Sequence, residues 1–144
     1  MGAFTLFEDY CRELNKYGAE FERQHVVTQC LEYRRIGNWI PIKISGKEVG
    51  FIIIIPGRYY STELDYFIEQ VYIAPEYRRR GIMKLNLDEM FKAAPGRYGL
   101  FILDKNYMAK GFWHKVQENS YLRPIKISKD PEAENCSFYA FETT

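Results

Sequence analysis

The spacing of apolar residues predicts a helix at the start of the chain and another directly after it. Apolar side chains recur at i, i+3, i+4 and i+7, the spacing of one helical face: Phe7, Tyr10, Cys11 and Leu14. A capping-box pattern, Thr5-x-x-Glu8, precedes most of this stripe. We expect the first helix to end near Gly18, because glycine commonly terminates helices, and the second to run over about residues 19–34.

Apolar runs of strand length predict six strands in the rest of the chain: 39–44, 49–55, 65–73, 98–103, 122–127 and 137–141. The turn at residues 45–48 joins the first two strands into a hairpin. Two further helices are predicted over 82–93 and 106–117, where the pattern returns to helical spacing. The apolar stripe of the earlier one is expected to face the core: Met83, Leu87, Met90 and Phe91.

The predicted order of elements is α-α-β-β-β-α-β-α-β-β. A right-handed crossover through the helix over 82–93 makes the third and fourth strands parallel, whereas hairpins make their neighbours antiparallel. We therefore expect an α/β fold with a mixed, mostly antiparallel sheet, a parallel central pair and about four flanking helices. No repeat or linker divides the 144 residues, so residues 1–144 are expected to form one domain.

Composition and charge narrow the classes of function. The formal net charge is +1, which favours neither nucleic acid nor a membrane surface as partner. The longest apolar run, 51–55, is far shorter than the ~20 residues of a membrane span. Three widely spaced cysteines and two distant histidines lack the spacing of metal ligands. These features predict a cytoplasmic protein with reduced thiols and without a metal site.

The residue pattern of segment 68–84 predicts a buried strand, a basic loop and the start of a helix. A helix N-terminus presents unpaired backbone N–H groups and the positive end of the helix dipole, which together attract phosphate. Three consecutive arginines at 78–80 raise the local positive potential, and Gly81 lets an anion approach the backbone. The segment fits either a site for a phosphorylated cofactor or an ordinary helix N-terminus.

Two motifs resemble the signatures of the GNAT superfamily of N-acetyltransferases. The family's pyrophosphate signature, Gln/Arg-x-x-Gly-x-Gly/Ala, is matched by Arg78-x-x-Gly81-x-Met83, with methionine where the family has a small residue. The family's second signature, Asn-x-x-Ala-x-x-Phe-Tyr-x-Lys, is matched by Asn106-x-x-Ala109-x-x-Phe112-Trp113-x-Lys115. The resemblance covers about residues 39–115 and implies the GNAT fold with acetyl-CoA as cofactor.

The resemblance also implies which residues bind the cofactor. The asparagine of the second signature contacts the pantetheine arm, backbone N–H groups near 71–73 polarise the thioester, and the basic loop holds the pyrophosphate mainly through its backbone. Helical spacing places Lys110 and Trp113 on the same face as Asn106. The candidate cofactor-binding residues are Val71, Tyr72, Ile73, Arg78, Arg79, Arg80, Gly81, Ile82, Met83, Lys84, Asn106, Lys110 and Trp113.

Glu69 is the candidate catalytic base. Strand alternation is expected to place Glu69 on one face with Val71 and Ile73. Its position resembles that of a glutamate in polyamine-type GNAT enzymes, where it accepts the proton of the acceptor amine. The alternative is a carboxylate paired with one of the arginines. Trp113 stands where the family has a tyrosine acid, and because indole N–H does not ionise near neutral pH, we interpret Trp113 as an aromatic wall.

The sequence therefore predicts an acetyl-CoA-dependent N-acetyltransferase that transfers acetyl directly to an amine-bearing small molecule or peptide. Acidic and aromatic residues in the segment 58–66 suit a cationic acceptor, although a solvated loop also explains them. The alternative function is a degenerate GNAT domain that binds CoA or a protein partner without turnover, because Met83 and Trp113 depart from the signatures. A homodimer is a possible assembly.

Overall fold

The structure is a computed structural model that describes residues 3–17, 28–29, 31–32, 34–35, 38–119 and 121–143. Within these residues the helices are α1 (Ala3–Asn15), α2 (Ile82–Ala93) and α3 (Tyr107–Gln117). The strands are β1 (Trp39–Ile44), β2 (Lys47–Pro56), β3 (Tyr66–Ile73), β4 (Arg97–Leu103), β5 (Leu122–Pro124) and β6 (Cys136–Thr143).

All six predicted strands are present, and the predicted helices before β1, after β3 and after β4 are confirmed. The fifth strand is shorter than expected and ends at Pro124, a residue without a backbone N–H for the ladder. The described residues contain three bounded helices where about four were expected. The second predicted helix, 19–34, lies largely outside the described residues.

The strands form one six-stranded sheet in the order β1-β2-β3-β4-β6-β5. Only β3 and β4 are parallel among these neighbours, which confirms a mixed, mostly antiparallel sheet with a parallel central pair. Their ladder is short: it pairs Tyr66–Ile68 with Tyr98–Leu100 and then stops. Beyond Ile68 the two strands separate, which leaves one edge of β3 without a strand partner there.

Apolar side chains cover both faces of the sheet. On one face α2 and α3 bury the predicted stripe Met83, Leu87, Met90 and Phe91. On the other face α1 buries Leu6 and Phe7 against β1 and β2, with the Phe7 ring 5.9 Å from that of Phe51. Each such side chain contributes about 1.5–3 kcal/mol of burial free energy. These two layers hold the separated ends of β3 and β4 in place.

Candidate active site

A cavity of about 770 Å³ lies where β3 leaves β4. Its walls come from α1, the end of β3, the loop into α2, and α3. Eleven of the predicted cofactor-binding residues line it: Val71, Tyr72, Ile73, Arg78, Arg79, Gly81, Ile82, Met83, Lys84, Asn106 and Trp113. The predicted residues Arg80, Lys110 and Glu69 do not line it. The structure thus brings both sequence signatures, which are distant along the chain, to one space.

The N-terminus of α2 opens into this cavity without a side-chain cap. Gly81 is the N-cap and has a left-handed backbone, φ +75°, and no side chain there bonds the first-turn N–H groups. A Cβ added to Gly81 would meet no atom within 4 Å, so the space above its backbone is open. Arg79 also has a positive φ of 63°. Unpaired N–H groups facing open space suit a phosphate group.

Arg78 is a brace rather than a free cation. Its guanidinium donates two hydrogen bonds to Glu13 of α1, at 2.9 and 2.6 Å, and a third of 2.9 Å to the carbonyl oxygen of Ile73. The Glu13 hydrogen bond raises the pKa of Arg78 above its ordinary value. The predicted phosphate-binding charge at Arg78 is therefore neutralised by Glu13, whereas Arg79 and Lys84 are exposed at the cavity.

We expect Glu13→Gln to lower the free energy of unfolding by about 1–2 kcal/mol, because it weakens two charge-assisted hydrogen bonds in a partly buried pair. Denaturant unfolding at constant ionic strength measures the change. Asp9→Asn is the matched control, since Asp9 pairs with the exposed Arg12 on the same helix, and exposed pairs contribute little. Equal effects of the two substitutions would contradict the bracing role of Arg78.

The second signature lies on α3 and on the residue before it. Asn106 is the N-cap, and its carboxamide oxygen accepts a 3.1 Å hydrogen bond from the N–H of Ala109. The cap uses the oxygen and leaves the NH₂ donor for a ligand. Trp113 is only 4% exposed and forms part of the cavity wall. Lys110 instead extends over the Tyr107 ring, 5.5 Å from its centroid.

A β-bulge in β3 isolates Glu69. On β2, Ile53 pairs with Gln70 but the next residue, Ile54, pairs with Ile68, so Glu69 is the extra residue of the bulge. The bulge shifts the alternation of side chains. The prediction that Glu69 shares a face with Val71 and Ile73 is therefore wrong: those two pack against the core beneath α2 and α3, whereas Glu69 bonds Tyr60 on the opposite face.

That contact defines the environment of the Glu69 carboxyl. The Tyr60 hydroxyl donates a 3.2 Å hydrogen bond to Oε2 of Glu69, and the Tyr60 ring stacks on Phe67. Burial raises the pKa of Glu69 above its ordinary value, and the Tyr60 hydrogen bond partly opposes that rise. No arginine among the described residues pairs with Glu69. A half-buried carboxyl with a raised pKa is a candidate for proton transfer.

Tyr60 also forms part of the wall of a smaller cavity of about 480 Å³. This cavity is formed by residues 60–63, after β2, and residues 128–132, before β6. The two segments are tied together by the backbone N–H of Ser128, which donates a 2.8 Å hydrogen bond to Glu63. Asp130 and Glu132 add negative charge to this cavity, and Lys129 adds one positive charge.

Sequence reasoning missed several residues of the larger cavity. Three residues of α1 and one residue just beyond its end line it: Tyr10, Glu13, Leu14 and Tyr17. Their spacing at i, i+3, i+4 and i+7 was a usable signal for a shared face, but the sequence prediction used Tyr10 and Leu14 only to place the first helix. Tyr60 was noticed only as part of an aromatic loop, because nothing local links it to Glu69.

A membrane-spanning helix and a metal-binding cluster are both absent from the ranges that the structure describes. No helix there is both long and apolar enough to cross a membrane. In the same ranges, no group of three or more histidine, cysteine, aspartate or glutamate side chains is placed to hold a metal ion.

Comparison with known proteins agrees with this geometry. Residues 4–117 match the model of the acetyltransferase (GNAT) family. A search of curated proteins found no match. Among solved structures, an acetyltransferase from Thermus thermophilus is similar with a TM-score of 0.65 and 19% identity, over 95% of this chain and 86% of that chain.

Two further similar structures contain a bound substrate or analogue. Diaminobutyrate acetyltransferase from Paenibacillus lautus, in complex with L-2,4-diaminobutyric acid and coenzyme A, has a TM-score of 0.64 and 15% identity, over 97% of this chain and 89% of that chain. Naa20 from Chaetomium thermophilum, in complex with a bisubstrate analogue, has a TM-score of 0.55 and 21% identity, over 95% and 80% respectively. At these identities the likeness shows a shared fold.

Proposed function

The chain belongs to the acetyltransferase (GNAT) family, and on that premise we propose that it binds acetyl-CoA and transfers the acetyl group directly to an amine. One observation carries the proposal: a single cavity joins the uncapped N-terminus of α2 to the unpaired edge of β3. The first feature suits a pyrophosphate and the second suits a carbonyl oxygen. Family members typically use acetyl-CoA, and the similar P. lautus structure contains coenzyme A.

Different residues along the cavity suit different parts of the cofactor. The open backbone at Gly81 and the exposed side chains of Arg79 and Lys84 face an anionic group. Asn106 offers an amide donor at the start of α3, where a polar arm would pass. Trp113 and Met83 supply an apolar wall, which excludes water. When bound, acetyl-CoA supplies an activated acetyl carbonyl and a thiol leaving group.

The chain's own groups then account for the chemistry. Alternate N–H groups of residues 71–73 point away from β2, toward the side where β4 has departed, and can stabilise an oxyanion. Glu69 accepts the proton that the amine loses as its nitrogen bonds the acetyl carbon and the carbon–sulfur bond breaks. A thiol resembling cysteine has a pKa of about 8.5, so its thiolate leaves without an acid at Trp113.

The acceptor in this proposal is an amine-bearing small molecule or peptide. Diaminobutyric acid in the similar P. lautus enzyme is one such compound. The acidic side chains of the smaller cavity, Glu63, Asp130 and Glu132, outnumber its one basic side chain, that of Lys129, and suit a cationic acceptor through ion pairing. A panel of diamines, polyamines and amino-terminal peptides with acetyl-CoA tests the class. Binding of CoA without turnover of any amine would favour the alternative, a degenerate domain.

We expect CoA to stabilise the fold. A ligand that binds only the native state adds RT ln(1 + [L]/Kd) to the free energy of unfolding, or about 2.7 kcal/mol at a hundredfold excess over Kd. For a chain of this size that corresponds to a rise in Tm of roughly 6–10 °C. Thermal unfolding with millimolar CoA measures it, with adenosine as a control that lacks the pyrophosphate and pantetheine. An unchanged Tm would argue against the cofactor site.

A cytoplasmic location, a homodimer, and the absence of nucleic-acid and membrane partners stay predictions from the sequence.

A further inference from the structure

We propose that Tyr60 is the positioning residue of the Glu69 carboxylate. Its hydroxyl holds one carboxylate oxygen in the β3 bulge and leaves the other oxygen for the acceptor amine. The inference rests on the proposed function, in which Glu69 is the base, and adds a residue that neither family signature contains. Tyr60 touches Glu69 and lines the smaller cavity, so it connects the base to the side from which we expect the amine to arrive.

The position of Tyr60 is fixed by packing on both sides of its ring. The ring stacks on Phe67 at 3.9 Å and meets the edge of Phe101 at 5.5 Å. These rings come from β3 and β4, the two strands that separate beside Glu69. A stacked ring loses little further freedom when its hydroxyl forms a hydrogen bond, so the hydroxyl is preorganised.

The backbone that carries Tyr60 is equally constrained. The N–H of Tyr60 donates a 2.9 Å hydrogen bond to the carbonyl oxygen of Gly57, closing a short 3₁₀ turn after β2. Gly57 lies against the backbone of Leu64, where a Cβ would come within 2.4 Å of the Leu64 carbonyl oxygen. The turn therefore holds Tyr60 close to the bulge without help from a ligand.

A bulge residue needs such support. Glu69 has no partner residue on β2, so its backbone lacks the ladder contact that orients its neighbours. A glutamate side chain also has several rotatable bonds, and a base must be held within about 0.5 Å of a productive position. The Tyr60 hydrogen bond supplies this restraint where the sheet does not.

Among the residues that the structure describes, Tyr60 is the titratable side chain whose interaction shifts the pKa of Glu69, and the other neighbours of the bulge are apolar. Ile53 and Ile54 stand opposite the bulge on β2, and Phe101 flanks Tyr60 on β4. Two causes act on the pKa of Glu69: burial, which raises it, and the Tyr60 hydrogen bond, which lowers it. Loss of the hydroxyl therefore raises this pKa further, and the carboxyl becomes a base only at higher pH.

The charged residues of the loop that carries Tyr60 have other neighbours. Arg58 lies over the Tyr59 ring, with its guanidinium carbon 5.5 Å from the ring centroid. Glu63 accepts the backbone N–H of Ser128, and Asp65 accepts that of Arg97. Tyr60 is thus the loop residue whose substitution is expected to move the titration of Glu69.

The test is Tyr60→Phe, which keeps both ring contacts and removes only the hydroxyl. We expect the acid limb of the pH dependence of kcat/KM for the amine to move up by about one pH unit, since a hydrogen bond to a charged group is worth about that much. Below the apparent pKa, kcat/KM then falls about tenfold, while KM for acetyl-CoA is unchanged. Tyr59→Phe is the matched control, because the neighbouring Tyr59 is exposed. An unmoved acid limb in Tyr60→Phe would overturn the proposal.

A double variant separates this inference from the proposed function. If Tyr60 acts through Glu69, Tyr60→Phe has no further effect on turnover in a Glu69→Gln background. If the two residues act independently, the fold-losses in turnover of the two substitutions multiply. Normal turnover by Glu69→Gln alone would remove Glu69 as the base and count against the proposed mechanism. Impaired turnover by Glu69→Gln with a wild-type profile for Tyr60→Phe would overturn only the role of Tyr60.

A second readout does not need an identified amine. Carbon-detected NMR follows the Glu69 carboxyl through a pH titration in the wild type and in Tyr60→Phe. We expect the midpoint to rise by about one pH unit in the variant. Coincident titrations in the two proteins would show that the hydroxyl does not hold the carboxylate, whatever the activity.

Discussion

Glu69→Gln is expected to lower kcat/KM for the acceptor amine by about 100-fold and to leave CoA affinity nearly unchanged. General-base assistance is typically worth ~10²–10⁴-fold, and glutamine cannot accept the proton. Glu69 lies outside the lining of the larger cavity, so the CoA-binding surface is preserved. Steady-state kinetics with an identified amine gives the first value, and calorimetric titration with CoA gives the second.

The control for this substitution is Glu76→Gln. Glu76 is an exposed glutamate in the loop after β3, and its loss is expected to change neither parameter by more than about twofold. Because burial raises the pKa of Glu69, kcat/KM of the wild type should decline as pH falls through that raised value, and this acid limb should vanish from the residual activity of Glu69→Gln. If the acid limb persists in Glu69→Gln, it reports the titration of another group.

The same pKa shift predicts a stability effect of known sign. A carboxyl whose pKa is higher in the folded state binds more protons there, so its contribution to stability declines as pH rises from the unfolded pKa through the folded one. Glu69→Gln removes this loss. The difference in unfolding free energy between Glu69→Gln and the wild type is therefore expected to favour the variant more at neutral pH than at pH 4. Denaturant titrations of both proteins at the two pH values measure this difference.

Gly81→Ala is expected to weaken CoA binding at least tenfold. The glycine has φ +75°, and its Cβ would project into the open space where we place the pyrophosphate. The substitution crowds the ligand and strains the backbone, and each 1.4 kcal/mol of lost binding is a factor of ten in Kd. Calorimetric titration with CoA measures the loss.

Gly46→Ala isolates the strain. Gly46 lies in the turn between β1 and β2, has φ +81° and, like Gly81, has no atom within 4 Å of an added Cβ. An alanine forced into left-handed geometry costs about 1–2 kcal/mol at either position. Both variants should lose similar unfolding free energy, whereas only Gly81→Ala should lose affinity. Equal CoA affinities in the two variants would show that Gly81 does not face the ligand.

Much of the fold follows from local patterns in the sequence. The helical stripe of Met83, Leu87, Met90 and Phe91 and the apolar strand runs were enough to place α2 and the six strands, because side-chain periodicity is a property of a few consecutive residues. The predicted start of α3, at Asn106, was one residue too early. Asn106 is the N-cap, which belongs to the helix motif in sequence but does not have helical backbone angles.

The part of the candidate site that we assign to the cofactor could also be predicted from the sequence. The loop at Gly81 and the motif beginning at Asn106 each lie at a helix N-terminus, so their chemistry is carried by short segments. The side chains of Arg78 and Lys110 contact other side chains of the protein, which the sequence prediction did not include. Each depends on a contact that helix or loop geometry does not specify: Arg78 on Glu13, and Lys110 on the ring of Tyr107.

Other features exist only through tertiary structure. The bulge at Glu69 reflects the register between β2 and β3, which depends on how two strands pack and not on either strand alone. The hydrogen bond from Tyr60 needs that bulge and the stacking of Tyr60 on Phe67. The sequence by itself thus determined the order of elements and the motifs at the starts of two helices, because these are local. Only the tertiary structure decided which face carries Glu69 and what holds its carboxyl there, because those depend on contacts between strands, loops and helices that the chain brings together on folding.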